Sequence, residues 1–242
     1  MAEQRDWVSP YNFVQNNPIN RIDPDGALDD YAINRNGDIT LLRETDDNFD
    51  RLFAVNDNNE INQSAGSVTI SKEDDGSSIL SQLANNDITQ IRSTGQDTTE
   101  EIDVDIAVTD ESNRNDVFNV FKFAADNTDV EFSVGKINYP GLGTNYQIGT
   151  FHLDNLSPGI KNSKIGNPLG LIHSHPNQPT AQDRTESLFG DEFVGTSFIR
   201  KHGANTPYLI YFPDNKSTVR IVPPKNSSRR RGTSVPSNRS KF

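Results

Sequence analysis

Two histidines separated by one residue are the strongest candidates for chemistry in this sequence. His173 and His175 stand in the run Leu-Gly-Leu-Ile-His-Ser-His-Pro, which begins at residue 169. On a β-strand, side chains two residues apart leave the same face, so both imidazoles can bind one ion from one side. Pro176 cannot continue the hydrogen bonding of a strand, so we expect the chain to turn away there and leave the imidazoles at a strand end.

A carboxylate from the next segment would complete a metal site. Asp183 is expected on the first turn of the following helix, from which it can reach back to the histidines. Two histidines, a carboxylate and a water make an open tetrahedral zinc site, in which the pKa of the water falls to about 7. The run Thr180-Ala-Gln-Asp183 is also typical of a helix N-cap with an acid at its third position.

The elements predicted around these residues belong to an α/β (α+β) domain, a mixed sheet flanked by helices, over residues 98–223. They are a helix at 115–127, strands at 130–137, 146–153 and 169–175, helices at 181–188 and 192–202, and a hairpin of strands 208–212 and 217–222. The helix at 115–127 is indicated by apolar residues at helical spacing, and the strand at 130–137 by alternation.

A small β-rich segment, residues 28–97, is predicted to precede this domain. Asn36-Gly37 indicates a hairpin over residues 32–42, and further strands are expected at 51–55 and 67–71, with a short helix at 79–84. Residues 224–242 are rich in Ser, Arg, Pro and Asn, so a basic disordered tail is expected there.

Charge and hydropathy exclude several function classes. The formal net charge is −11, and the tail is the local exception because residues 215–242 carry Lys and Arg but no acid. An acidic body argues against a broad nucleic-acid-binding face. No stretch approaches the ~20 apolar residues of a membrane span, and the N-terminus lacks a signal-peptide pattern. Without cysteine, only histidines and carboxylates can hold a metal.

The histidine run resembles the motif of JAB/JAMM (MPN-type) metalloproteases, His-x-His-Pro followed by Ser-x-x-Asp, with a glutamate on an upstream strand. This resemblance implies that His173, His175 and Asp183 bind zinc. It also implies that Glu131, in Val-Glu-Phe-Ser-Val-Gly, is the general acid/base, and that Thr180, in place of serine, can stabilise an oxyanion. The loop from His175 to Thr180 has four residues instead of the seven common in the family. Counting seven places Glu186 at the position of the third ligand.

The N-terminal segment resembles the end of an Rhs/YD-repeat core. Residues 7–26 contain an Asn-Pro-Ile-Asn run and then Asp-Pro-Asp-Gly. The resemblance implies that residues 1–27 are the end of that core and its junction, and that the chain is the toxin part of a longer protein, secreted or delivered into a target cell. It further implies a cognate immunity protein, a secretion apparatus reached through the parent protein, and a protein or peptide substrate in the target cell.

The predicted function is therefore that of an antibacterial toxin acting as a zinc-dependent peptidase or isopeptidase, with Zn²⁺ as cofactor. Two alternatives stay open. One is a non-catalytic, zinc-containing binding module, which the short loop after His175 favours. The other is a metal-dependent phosphoesterase or nuclease of the PHP type. Such sites need several more histidines, and only His152 and His202 remain.

Overall fold

A computed structural model describes residues 29–44, 48–85, 88–93, 99–160 and 165–224 of the chain. The segment that resembles an Rhs core end, and the basic tail beyond Pro224, lie outside the described residues. The expectations stated for those two segments stay predictions.

The described part of the chain alternates between strands and a few helices. Its strands are β1 (Asp29–Ile33), β2 (Ile39–Arg43), β3 (Phe49–Ala54), β4 (Ser67–Ser71), β5 (Ile88–Ser93), β6 (Thr99–Asp110), β7 (Phe132–Tyr139), β8 (Gly143–Thr150), β9 (Asn167–Ser174), β10 (Tyr208–Phe212) and β11 (Ser217–Arg220). Its α-helices are α1 (Ile79–Ala84), α2 (Arg114–Asn127) and α3 (Ala181–His202). The predicted α+β fold class is thereby confirmed.

A mixed sheet of seven strands, in the order β11-β10-β9-β7-β8-β6-β5, forms the centre of the domain. β9 and β10 run parallel, and the other neighbouring pairs are antiparallel. The helix α2 packs on one face through Val117, Val120, Phe121 and Ala124, all buried. The helix α3 packs on the other face, where Ile199 lies among buried side chains of β10. The candidate ligands thus lie near the middle of the sheet, on the α3 face.

The β-rich segment forms a second sheet of four strands, in the order β2-β1-β3-β4. Its buried side chains Ile33, Leu52 and Ile70 belong to the same hydrophobic cluster as Val120 and Ile148 of the larger sheet's core. β5 lies upstream of the predicted boundary at residue 98, yet it pairs with β6 in the seven-stranded sheet. The two predicted regions therefore share one core.

One prediction about the helices needs correction, and a long strand was missed. The helices expected at 181–188 and 192–202 are one continuous helix, α3. Gly190 lowers helix propensity by about 1 kcal/mol relative to alanine. The packing of α3 on β10 stabilises the helix enough for it to continue past this residue. The long strand β6 was not predicted, although Ile102, Val104 and Ile106 alternate with acidic residues and are all buried.

Candidate metal centre

β9 delivers both histidines to one side of the sheet, as predicted. The Nε2 atoms of His173 and His175 lie 2.9 Å apart. Ser174 points to the opposite face, where its hydroxyl oxygen accepts a hydrogen bond from the backbone N–H of Phe132 at 3.0 Å. The backbone N–H of His175 donates to the carbonyl of Tyr211 at 2.8 Å, so β10 supports the end of β9. The two imidazoles are therefore held by backbone pairing on both sides of β9.

Glu131 reaches the same place from the neighbouring strand. It immediately precedes β7, whose Ser133 pairs with His173 in antiparallel register. Glu131 is two residues before Ser133 and His175 is two residues after His173, so the antiparallel register brings both to the same end of the strand pair. The Glu131 Oε1 atom lies 3.5 Å from His175 Nε2, and the residue is only 4 % exposed. Ligand atoms of Glu131, His173 and His175 all lie within 4.8 Å of one another, so this group could hold a metal ion.

A second carboxylate, from α3, faces both imidazoles. Asp191 Oδ2 lies 2.8 Å from His175 Nε2, and Asp191 Oδ1 lies 3.2 Å from His173 Nε2. The hydroxyl of Tyr208 on β10 lies 3.4 Å from Asp191 Oδ1. Asp191 can stand here because Gly195, one turn later, lets α3 approach Tyr208 closely.

The structure places the predicted ligand Asp183 elsewhere. Its Oδ2 atom accepts hydrogen bonds from the backbone N–H of Thr180 at 3.0 Å and from the Thr180 hydroxyl at 2.6 Å. The Asp183 N–H in turn meets Thr180 Oγ1 at 3.1 Å. Asp183 and Thr180 therefore form the capping box of α3, the alternative that the sequence had left open. Glu186 is exposed and accepts from Gln182. Among the described carboxylates, Asp191 and Glu131 are those found against the imidazoles.

Asp191 was not predicted as a ligand from the sequence. It lies further along the chain from His175 than Asp183 or Glu186, the two acids that the spacing of the motif indicates. A helical reading of 181–202 as one element would have found it. Leu188, Gly195 and Ile199 lie on the side of α3 that packs against the sheet, and Asp191 follows Leu188 by three residues and precedes Gly195 by four. The pattern thus places an acid on the inward face of the helix.

Burial and hydrogen bonding shift the pKa values of Glu131, His173 and Asp191 in different directions. Burial raises the pKa of Glu131 to about 9, with the negative charges of Asp191 and Asp154 adding to the rise. Burial also lowers the pKa of His173, which favours its neutral form. For Asp191, burial opposes ionisation, but hydrogen bonds from His173 and His175 outweigh it and hold the pKa of that carboxyl well below its usual range. A neutral His173 imidazole and an ionised Asp191 carboxylate are the protonation states that a metal requires of such ligands.

The donor set fits zinc. Two imidazole nitrogens and a carboxylate oxygen are the ligands of many catalytic zinc sites, and an octahedral, all-oxygen ion such as Mg²⁺ would not select them. The other two histidines lie apart from this group: His152 contacts the carbonyl of Asn36 and the carboxylate of Asp105, and His202 packs against Phe198. A multi-histidine phosphoesterase site is therefore not assembled by the four histidines of this chain.

Comparison with known proteins gives one family. Residues 109–206 match the model of the family described as JAB-like toxin 1, and Glu131, His173, His175 and Asp191 all fall within the matched region. Comparison with curated proteins and with solved structures gave no match. Among the helices that the structure describes, none is long and apolar enough to cross a membrane. Residues 109–206 are therefore similar to the JAB-like toxin 1 family.

Proposed function

We propose that this domain is a zinc-dependent peptidase or isopeptidase that acts as an antibacterial toxin. The observation that carries the proposal is the convergence of two imidazole Nε2 atoms and the Asp191 carboxylate, with a second carboxyl, Glu131, 3.5 Å from one of those nitrogens. Three ligands and an adjacent proton carrier are the parts that metal-assisted hydrolysis needs.

In this proposal His173, His175 and Asp191 hold the ion, and Glu131 stays out of the ligand set. Asp191 offers one carboxylate oxygen to each imidazole nitrogen, at 3.2 and 2.8 Å. Glu131 approaches only His175, at a longer distance. An ionised Asp191 is the better ligand, whereas the raised pKa of Glu131 suits a group that holds and passes a proton.

The chemistry then divides between the ion and the protein. A bound zinc ion would supply Lewis acidity and lower the pKa of a water molecule to about 7. Glu131 takes a proton from the attacking water as its oxygen bonds to the carbonyl carbon of the substrate. Glu131 then gives that proton to the amide nitrogen as the C–N bond breaks, which leaves a carboxylic acid and an amine. The positive charge of an ion at the imidazoles would lower the pKa of Glu131 towards neutrality and so prepare it for the first transfer.

Delivery and control are part of the same proposal. The family match supports a toxin, and the resemblance of residues 7–26 to an Rhs core end supports a longer parent protein that engages a secretion apparatus. A toxin of this kind requires an immunity protein in the producing cell. The substrate is a protein or peptide in the target cell.

The proposal is tested by expressing the chain in bacteria beside Glu131→Gln and the control Glu186→Gln. Glu131→Gln keeps the shape of the side chain but cannot carry the proton, whereas Glu186 is exposed on α3. We expect all three proteins to bind zinc, and only the parent and the control to stop growth and generate new protein N-termini in proteome-wide mapping.

Three results would overturn the proposal in different ways. Toxicity retained by Glu131→Gln, with no new N-termini, would indicate a binding module instead of an enzyme. Phosphodiester cleavage that depends on the metal would indicate the phosphoesterase alternative. Absence of zinc binding by the wild-type chain would contradict the proposed metal centre itself.

A further inference from the structure

The two ring nitrogens of His175 face different partners. Nε2 points into the metal centre, 2.9 Å from His173 Nε2 and 2.8 Å from Asp191 Oδ2. Nδ1 points away from it, to the hydroxyl of Ser187 at 3.0 Å. A neutral imidazole carries a proton on one nitrogen only. For Nε2 to offer its lone pair to an ion, that proton must be on Nδ1.

The direction of the Ser187 hydroxyl is set by the backbone of α3. Its Oγ donates to the carbonyl of Arg184 at 3.2 Å, one turn earlier in the helix. Because the hydroxyl proton bonds to the Arg184 carbonyl, the Ser187 oxygen presents a lone pair to His175 Nδ1 and can only accept a hydrogen bond from it. The proton that Nε2 shares with Asp191 Oδ2 is the one that an ion would displace, and the Ser187 contact then favours the Nδ1–H form of His175.

Ser187 and the ligand Asp191 lie four residues apart on α3, hence on the same face of the helix. One rigid element thus contacts both nitrogens of the His175 ring, the hydroxyl at Nδ1 and the carboxylate at Nε2. The ring of Phe212 packs edge-on against the His175 ring, with centroids 5.7 Å apart, and limits its rotation. These contacts fix the plane of the imidazole and keep a proton on its Nδ1 atom.

We propose that Ser187 is a positioning residue of the metal centre, whose hydroxyl accepts a hydrogen bond from His175 Nδ1–H and keeps Nε2 free to bind the ion. The inference rests on the proposed metal centre but not on the peptidase reaction. Outer partners of this kind raise the basicity of a ligating histidine and orient its ring, and their loss typically costs roughly 10- to 100-fold in metal affinity.

The test compares zinc affinity, measured by competition with a chromophoric chelator, in four variants. Ser187→Ala removes the hydroxyl. The threonine of Ser187→Thr and the valine of Ser187→Val have the same shape and differ only in the hydroxyl. This pair therefore tests the role of the hydroxyl even if Ser187→Ala disturbs the fold. Thr185→Ala is the control, because the Thr185 hydroxyl also bonds to a helix carbonyl, that of Ala181 at 2.8 Å, but on the exposed side.

We expect Ser187→Ala and Ser187→Val to bind zinc roughly 10- to 100-fold more weakly, and Ser187→Thr and Thr185→Ala to stay near the parent. In zinc-loaded protein, the His175 Nδ1–H resonance should be seen by NMR for the parent and Ser187→Thr, and should be lost by exchange with water for Ser187→Val. Equal affinity of the Thr and Val variants would overturn the role of Ser187. If the parent chain binds zinc but hydrolyses no peptide, the role of Ser187 is retained and only the peptidase proposal is contradicted. If the parent chain binds no zinc, both proposals are contradicted.

Discussion

Glu131, just before β7, and His175, just after β9, meet at one end of this strand pair, with the Glu131 Oε1 atom 3.5 Å from His175 Nε2. The antiparallel pairing of Ser133 with His173 sets this relationship, because each of the two residues is two positions from that pair. Backbone pairing in the interior of a sheet is more rigid than a loop. The proposed proton carrier and one proposed metal ligand therefore lie at the end of one strand pair, to which α3 adds the remaining carboxylate.

The position of Asp191 depends on the close approach of α3 to β10 at Gly195. A Cβ atom at Gly195 would meet Tyr208 Cδ1 at 2.7 Å and Ile221 Cγ1 at 3.1 Å. Gly195→Ala should push α3 outwards, lower the free energy of unfolding by about 1–3 kcal/mol and weaken zinc binding. Chemical denaturation and the chelator competition would measure the two effects.

Gly190 provides the matched control on the same helix. A Cβ atom there would have no neighbour within 4 Å, so Gly190→Ala should stabilise α3 by up to about 1 kcal/mol and leave zinc affinity unchanged. If the two alanine variants bind zinc equally well, the helix approach does not position the ligand.

His152 should make stability depend on pH. Burial lowers the pKa of His152, but hydrogen bonds to Asp105 and to the carbonyl of Asn36, with the nearby charge of Asp38, outweigh it and raise the pKa above the usual 6.5. Because the folded pKa is raised, the stabilisation is complete below the unfolded value and is lost as the pH rises through the folded value.

His152→Asn removes the titrating ring and tolerates the left-handed backbone of this residue, φ 56°. We expect it to destabilise the fold by about 1–2 kcal/mol at pH 5.5 and by clearly less at pH 8.5, as measured by urea denaturation. If His152→Asn destabilises the fold by the same amount at both pH values, protonation of the His152 ring adds no stability.

Lys72 should be important for the four-stranded sheet. Its ammonium group lies 2.8 Å from Asp29 and 3.5 Å from Asp50, and Asp50 is fully buried. Lys72→Met removes the cation from between two buried carboxylates, so we expect a loss of about 3 kcal/mol in the free energy of unfolding. Lys122→Met, on the exposed side of α2, should change it by less than about 0.5 kcal/mol. Similar losses in both variants would contradict the assigned role of the buried pair.

Much of the fold can be read from local patterns. The helix α2 follows from apolar residues at helical spacing, and the β1–β2 hairpin from Asn36-Gly37, because both signals lie within a few neighbouring residues. The pairing of β1 with β3, and the common core of the two sheets, depend on contacts between distant residues. No local pattern carries that information.

The candidate site likewise contains residues that local patterns predict and one that they do not. His173, His175 and Glu131 could be found because strand periodicity and a short motif fix them. The proposed third ligand, Asp191, could not be found by motif spacing, since a turn and a helical segment of unknown length separate it from His175. Asp183 was the nearer acid, but the geometry of a helix N-terminus uses it, with Thr180, to cap backbone N–H groups.

The most direct test of the metal centre is the zinc content of Asp191→Asn against that of Asp183→Asn, measured by elemental analysis after purification in limiting zinc. Both changes replace a carboxylate of α3 by an amide of the same shape, and only Asp191 faces the imidazoles. The arrangement predicts that Asp183→Asn retains a full equivalent of zinc and that Asp191→Asn loses it. Full zinc in Asp191→Asn, or its loss in Asp183→Asn alone, would contradict the centre described for this domain.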